Sequence, residues 1–119
     1  MTKKLVALAM IFPLVGHASD IVKKCSMSSA VMAAPHKFVP SLNGFTSDAY
    51  IVEHGDSFTY IDTLGVKYRS GKLKKDGNDL AYEDKERSIV YATDRKRTVY
   101  ALIYPDQERA RVFRHCKVQ

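Results

Sequence analysis

The sequence predicts an all-β domain: an antiparallel meander that forms a small sandwich or near-closed barrel, tied by one disulfide. Three observations predict it. From Ala49 onward, short β-branched and aromatic runs alternate with clusters of Gly, Asp, Asn and Pro. These turn clusters recur about every ten residues, the rhythm of antiparallel strands joined by short hairpins. Only two cysteines, Cys25 and Cys116, are present, and they stand near opposite ends of the chain.

The chain opens MTKKLVALAMIFPLVGHAS, with Lys3 and Lys4 ahead of an apolar stretch from Leu5 to Val15 and small residues at Gly16, Ala18 and Ser19. That order is the pattern of a secretory signal peptide over residues 1–18, with cleavage expected after Ala18. The apolar run is shorter than the roughly 20 residues a membrane-spanning helix needs. No second apolar run follows. The mature chain is therefore expected to be periplasmic or secreted and soluble, with no transmembrane segment.

Export bears on the cysteines. A lipoprotein carries its cysteine at the cleavage point, whereas Cys25 lies beyond Asp20, Val22 and Lys23–Lys24. A zinc site takes four ligands at tight spacings, and His36, His54 and His115 are scattered. No metal site and no cofactor is expected. The remaining reading is a Cys25–Cys116 bridge in an oxidising compartment, tying the N-terminal segment to the last strand.

Residues 19–48 read as an irregular segment with a strand near Cys25. Pro35 and Pro40 forbid a long helix there, and SLNGFTSD is turn chemistry. Residues 49–119 read as the meander, one domain with 19–48. Gly55 suits a positive φ between His54 and Asp56. Asp76–Gly77–Asn78 suits a tight hairpin, and Pro105–Asp106 fits the centre of a type I turn.

Period-two alternation assigns faces. Phe58, Tyr60 and Leu64 share one face, interrupted by Asp62. Ile89 shares a face with Tyr91. Val99, Ala101 and Ile103 oppose Tyr100, Leu102 and Tyr104, so that strand is apolar on both sides and belongs in a covered, central position. On the last strand Ala110, Val112 and Cys116 alternate with Arg111, Phe113 and His115. Arg114 falls on the Cys116 face.

No catalytic set emerges, and the chain is expected not to be an enzyme. There is no nucleophile elbow for Ser-His-Asp chemistry and no phosphate-cradling Gly loop. The cysteines are too far apart for a Cys-x-x-Cys motif. His54, Asp56 and Asp62 read as solvated turn residues, and Glu83, Asp84 and Glu86 mix with Lys85 and Arg87 as at a wet hairpin tip.

The formal net charge is +6, of which Lys3 and Lys4 belong to the signal. A balance of that size suits an acidic partner or an anionic envelope component and does not call for nucleic acid. Lys67, Arg69, Lys72, Lys74 and Lys75 crowd one strand and its turn, Arg95, Lys96 and Arg97 a hairpin tip, and Arg109, Arg111, Arg114 and Lys117 the final strand. Tyr68, Tyr82, Tyr91, Tyr100, Tyr104 and Phe113 lie among them. Arginine and tyrosine are the residues that anchor interfaces. Candidate binding residues from this pattern are Tyr68, Arg69, Arg95, Lys96, Arg97, Arg111 and Phe113.

The stretch GVKYRSGKL, residues 65–73, is similar to the loop that bacterial periplasmic lysozyme inhibitors insert into a lysozyme cleft. The likeness covers that stretch alone and lacks the aromatic pair that follows it in those inhibitors. It implies Tyr68, Arg69, Ser70 and Lys72 as contact residues. The leading expectation is a small secreted binding or inhibitor-type module acting on a protein partner. The alternatives are a basic surface protein that binds anionic envelope polymers or lipid headgroups, and a phage or mobile-element factor that modifies the host envelope.

Overall fold

The computed structural model describes residues 20–34, 37–40 and 47–119. The expected signal peptide, Pro35 with His36, and most of the SLNGFTSD turn lie outside the described residues.

The strands are β1 (Ile21–Ala34), β2 (Lys37–Pro40), β3 (Ser47–Glu53), β4 (Phe58–Ile61), β5 (Lys67–Arg69), β6 (Lys74–Asp76), β7 (Asp79–Asp84), β8 (Ile89–Asp94), β9 (Tyr100–Tyr104) and β10 (Arg109–Val118), with a 3-10 turn at Pro105–Gln107. They form one antiparallel sheet in the order β5-β4-β3-β1-β10-β9-β8-β7-β6. The first half of β1 pairs with β3 and its second half with β2. The expected antiparallel β-meander with its disulfide is thus present, as a curled half-barrel.

The segment expected to be mostly irregular holds one long strand instead. β1 runs for 14 residues. Its sequence carries a weak strand pattern, but it lies between β10 on one side and β3 and β2 on the other, so its backbone groups find partners along its length. Tertiary pairing overrides the local signal.

The curl brings the two outer strands, β5 and β6, close together. The link between them is pinned where the Ser70 amide donates to the Phe58 carbonyl (2.9 Å) and the Leu73 amide to the Asp56 carbonyl (2.8 Å). Gly71 lies flush on Tyr82 of β7: a Cβ there would stand 2.4 Å from the ring. The Asp76–Asp79 hairpin turns through Gly77 at φ +63°, as a tight turn requires.

The core fills the concave side. Tyr91, Tyr100, Phe58, Phe113, Ile51, Leu102 and Cys25 are its largest fully buried side chains. Phe58 meets Tyr100 and Tyr91 edge-on at 4.9 and 5.8 Å, and Tyr60 tilts onto Phe113 at 4.9 Å. Edge-to-face pairs of this kind contribute about 0.5–1.5 kcal/mol each beyond area burial.

Two face assignments change. Leu64 is not on the Phe58–Tyr60 face; β4 ends at Ile61, and the Asp62 carboxylate accepts the amides of Leu64 (2.9 Å) and Val66 (2.8 Å), turning the chain and leaving Leu64 87% exposed. On β10, alternation breaks at His115. Lys24 pairs with Lys117 and Ser26 with Arg114, so His115 and Cys116 together oppose Cys25. His115 takes φ +54°, and this bulge rephases the strand. Cys116 therefore joins Phe113 against the core, and Arg114 points the other way. The Cys25–Cys116 disulfide links the two central strands.

Candidate functional site

At one end of the half-barrel, on the concave side, β1, β5, β9 and β10 enclose a cavity of about 310 Å³ lined chiefly by Ser29, Tyr68, Tyr104, Gln107, Arg109 and Arg111. Strand register assembles it. Arg111 pairs with Ser29 on β1 and with Leu102 on β9, and Arg109 pairs with Tyr104. Because Leu102 and Phe113 face the core, Arg109 and Arg111 share that face by alternation.

Arg111 is the centre of the site. Its Nη1 donates to the Tyr60 hydroxyl at 3.0 Å. Its guanidinium lies over the rings of Tyr60 and Tyr104, at 5.6 and 5.9 Å. Tyr68 stacks on Tyr60 at 5.6 Å. Such contacts fix the plane of a guanidinium and strip part of its water. Among the described residues no carboxylate forms an ion pair with Arg111 or Arg109; the pairs present are Lys24–Asp48, His54–Asp20 and Arg97–Glu53. Burial pushes the Tyr104 phenol above its ordinary range while Arg111 pulls it the other way. Tyr104 therefore stays protonated and can donate. The cavity is rich in donors, and among the described residues it has no acid in its lining.

A second polar cluster occupies the opposite end. Glu53 is buried and accepts from the Tyr100 hydroxyl (2.7 Å) and the Gly55 amide (3.0 Å), with Arg97 Nε 3.6 Å away. Lys23 Nζ donates to the same Tyr100 hydroxyl (2.7 Å) and to the Arg97 carbonyl (2.9 Å). Burial first, and then Glu53, push the Tyr100 phenol far above its ordinary range. Glu53, Tyr100 and Lys23 satisfy one another, which is what holds charge in a core, while Arg97 Nε is buried at ion-pair distance from Glu53 without a hydrogen bond.

His54 lies between Asp20 (Nδ1 to Oδ1, 3.1 Å) and the Thr59 hydroxyl (Nε2 to Oγ1, 2.8 Å). The order acid, imidazole, hydroxyl is that of a catalytic relay. Thr59, however, is 5% exposed, and a buried hydroxyl cannot reach a substrate. The contact pins Asp20, just ahead of β1, onto β4.

The structure brings together two of the sequence-derived candidates, Tyr68 and Arg111. Arg69 lies outside the cavity on β5, and Lys72 is exposed on the β5–β6 link. Ser70 is buried; its hydroxyl accepts the Phe58 amide (3.1 Å) and donates to the Gly71 carbonyl (2.9 Å), so it holds the link and is no contact residue. Arg95 and Lys96 are exposed at the β8–β9 tip, at the other end of the barrel, and Arg97 beside them enters the Glu53 cluster. Phe113 is fully buried, a core residue with no surface to offer. Tyr104 and Arg109 complete the site and were visible in the sequence only as members of longer Tyr and Arg lists. The pairing of Arg109 with Tyr104 across a short turn was the signal that could have joined them.

Among the described residues no helix is long and apolar enough to cross a membrane. Comparison with family models, with curated proteins and with solved structures returns no match.

Proposed function

We propose that this chain is a small exported binding or inhibitor-type module that receives an acidic group of a protein partner in the Tyr68–Arg111 cavity. The observation that supports it is Arg111 itself: half-buried, fixed between two tyrosine rings, and without a carboxylate. A guanidinium already held in place loses little freedom when it binds. It also offers a carboxylate charge-assisted, directional hydrogen bonds. Tyr68 and Tyr104 supply ring faces and hydroxyls at the rim, the residue types that carry most of the energy in protein interfaces. The disulfide is compatible with an oxidising compartment. The likeness of residues 65–73 to an inhibitor loop contributes little, because Ser70 and Leu73 are buried.

The test is capture from an envelope extract by the oxidised chain, in about 1 M salt, where charges are screened beyond about 3 Å. The expected result is a protein retained by the wild type and lost by Arg111→Ala, with Lys72→Ala as a control that retains it. Equal retention by all three would overturn the assignment of the site.

A further inference from the structure

The convex face of the half-barrel carries a second feature, independent of the cavity. Lys23 turns inward to Tyr100, so its neighbour Lys24 turns outward. Cross-strand register then lines up Lys67, Ile61, Tyr50, Lys24 and Lys117 on β5, β4, β3, β1 and β10. The next row on that face is Arg69, Thr59, Val52 and Val22. Arg114, opposite Ser26, follows on the other side of the bulge-shifted ladder. Lys67, Arg69, Arg114 and Lys117 are exposed, and the Lys24 side chain is 43% exposed. Tyr50 (42%) and Val22 (44%) are exposed among them.

On the half of this face formed by β5, β4, β3, β1 and β10 the acids are few and engaged, while Asp79 and Glu83 face outward on β7, three strands beyond β10. Asp48 lies 3.4 Å from Lys24, Asp20 contacts His54, and the nearby Asp62 carboxylate holds its own turn. Neighbouring strands are about 4.8 Å apart, so the cations spread over roughly 20 Å. That is a band, not a pocket, and it matches a chain of charges better than a single anion. Lone surface cations are normal at sheet edges, but Lys24 sits on β1 between β10 and β3, where no edge needs protecting.

The geometry points to a docking face for a linear acidic polysaccharide. A duplex would need an element that enters a groove, and single-stranded nucleic acid a series of aromatic platforms. Among the described side chains Tyr50 is the exposed ring of this face. A lone Tyr50 ring flanked by separated cations suits a sugar ring lying flat, with its neighbours' carboxylates reaching the lysines.

The experiment measures binding of the oxidised chain to alginate, a linear polyuronate, across a salt series. Its companions are Lys24→Gln/Lys67→Gln/Lys117→Gln in this band and Lys72→Gln/Lys85→Gln/Lys96→Gln, in a link and two turns, outside it. All six positions are exposed or half-exposed, and circular dichroism checks the fold of both variants. The expected result is binding that weakens steeply with salt. The convex-face variant should bind about tenfold weaker at low salt with a shallower salt slope, and the other variant less than about twofold weaker. Equal losses from both variants, no binding at low salt, or tighter binding to oligo-dT or to phosphatidylglycerol vesicles than to alginate would each overturn the proposal. Arg111→Ala should leave alginate binding unchanged, which separates this face from the cavity.

Discussion

Two buried tyrosine hydroxyls show how much a single side chain depends on its partners. The Tyr100 hydroxyl is shared between Lys23 and Glu53. The Tyr91 hydroxyl is buried without a hydrogen-bond partner, and burial, reinforced by Asp84, pushes its phenol above the ordinary range. Removing the first leaves a buried carboxylate and an ammonium each short of a partner, a loss of about 1–3 kcal/mol. Removing the second leaves nothing unpaired. Tyr100→Phe should therefore destabilise by about that amount, while Tyr91→Phe should be neutral or stabilise by up to about 1 kcal/mol. Urea unfolding of both variants decides it, and a larger loss from Tyr91→Phe would mean that the Tyr91 hydroxyl is bonded after all. This contrast was not legible in the sequence, where both tyrosines read as strand residues lying among the basic stretches. Which hydroxyl finds a charge depends on residues 47 and 77 positions away.

At the scale of elements, local signals were legible where turn chemistry is strong and failed where only register decides. Gly55 and Gly77 do take positive φ, and the runs around Tyr91 and Tyr100 are buried strands. β1 was underestimated because its stability comes from neighbours on both sides. The phase of β10 was misjudged beyond Arg114 because a one-residue bulge at His115 leaves no mark in the alternation. Tyr68 and Arg111 were legible as residue types, but their meeting required the curl. That curl depends on the β5–β6 link, and the link depends on Gly71. Alanine there would bring a Cβ to 2.4 Å from Tyr82 Cε1, an overlap that something must move to relieve. Gly71→Ala should cost about 1–3 kcal/mol and disturb the chemical shifts of Tyr68 and Tyr82. In a Tyr82→Ala background the same substitution should cost almost nothing, because the double-mutant cycle removes the clash with its partner. An unchanged cost there would place the strain in the backbone of the link.

For the whole molecule, the first and last described strands lie side by side in the middle of the sheet. The β3–β5 meander extends from one side of this pair and the β9–β6 meander from the other. Forming the β1–β10 ladder means closing a loop of 91 residues before either meander has a surface to pack on. Contacts so distant in sequence slow folding, and the disulfide supplies that closure in advance. In the chain-entropy model a loop of this length is worth about 4–5 kcal/mol, a large share of the roughly 5–15 kcal/mol that stabilises a domain. Reduction, or Cys25→Ser with Cys116→Ser to leave no free thiol, should lower the melting temperature by about 20 °C and slow refolding. Urea unfolding with and without reductant, followed by stopped-flow refolding, measures both. A loss below about 1 kcal/mol would mean that the two meanders assemble the central ladder unaided. The stability of the half-barrel would then reside in its aromatic core, and the bridge would serve only to hold Cys116 and the bulge beside it in phase with that core.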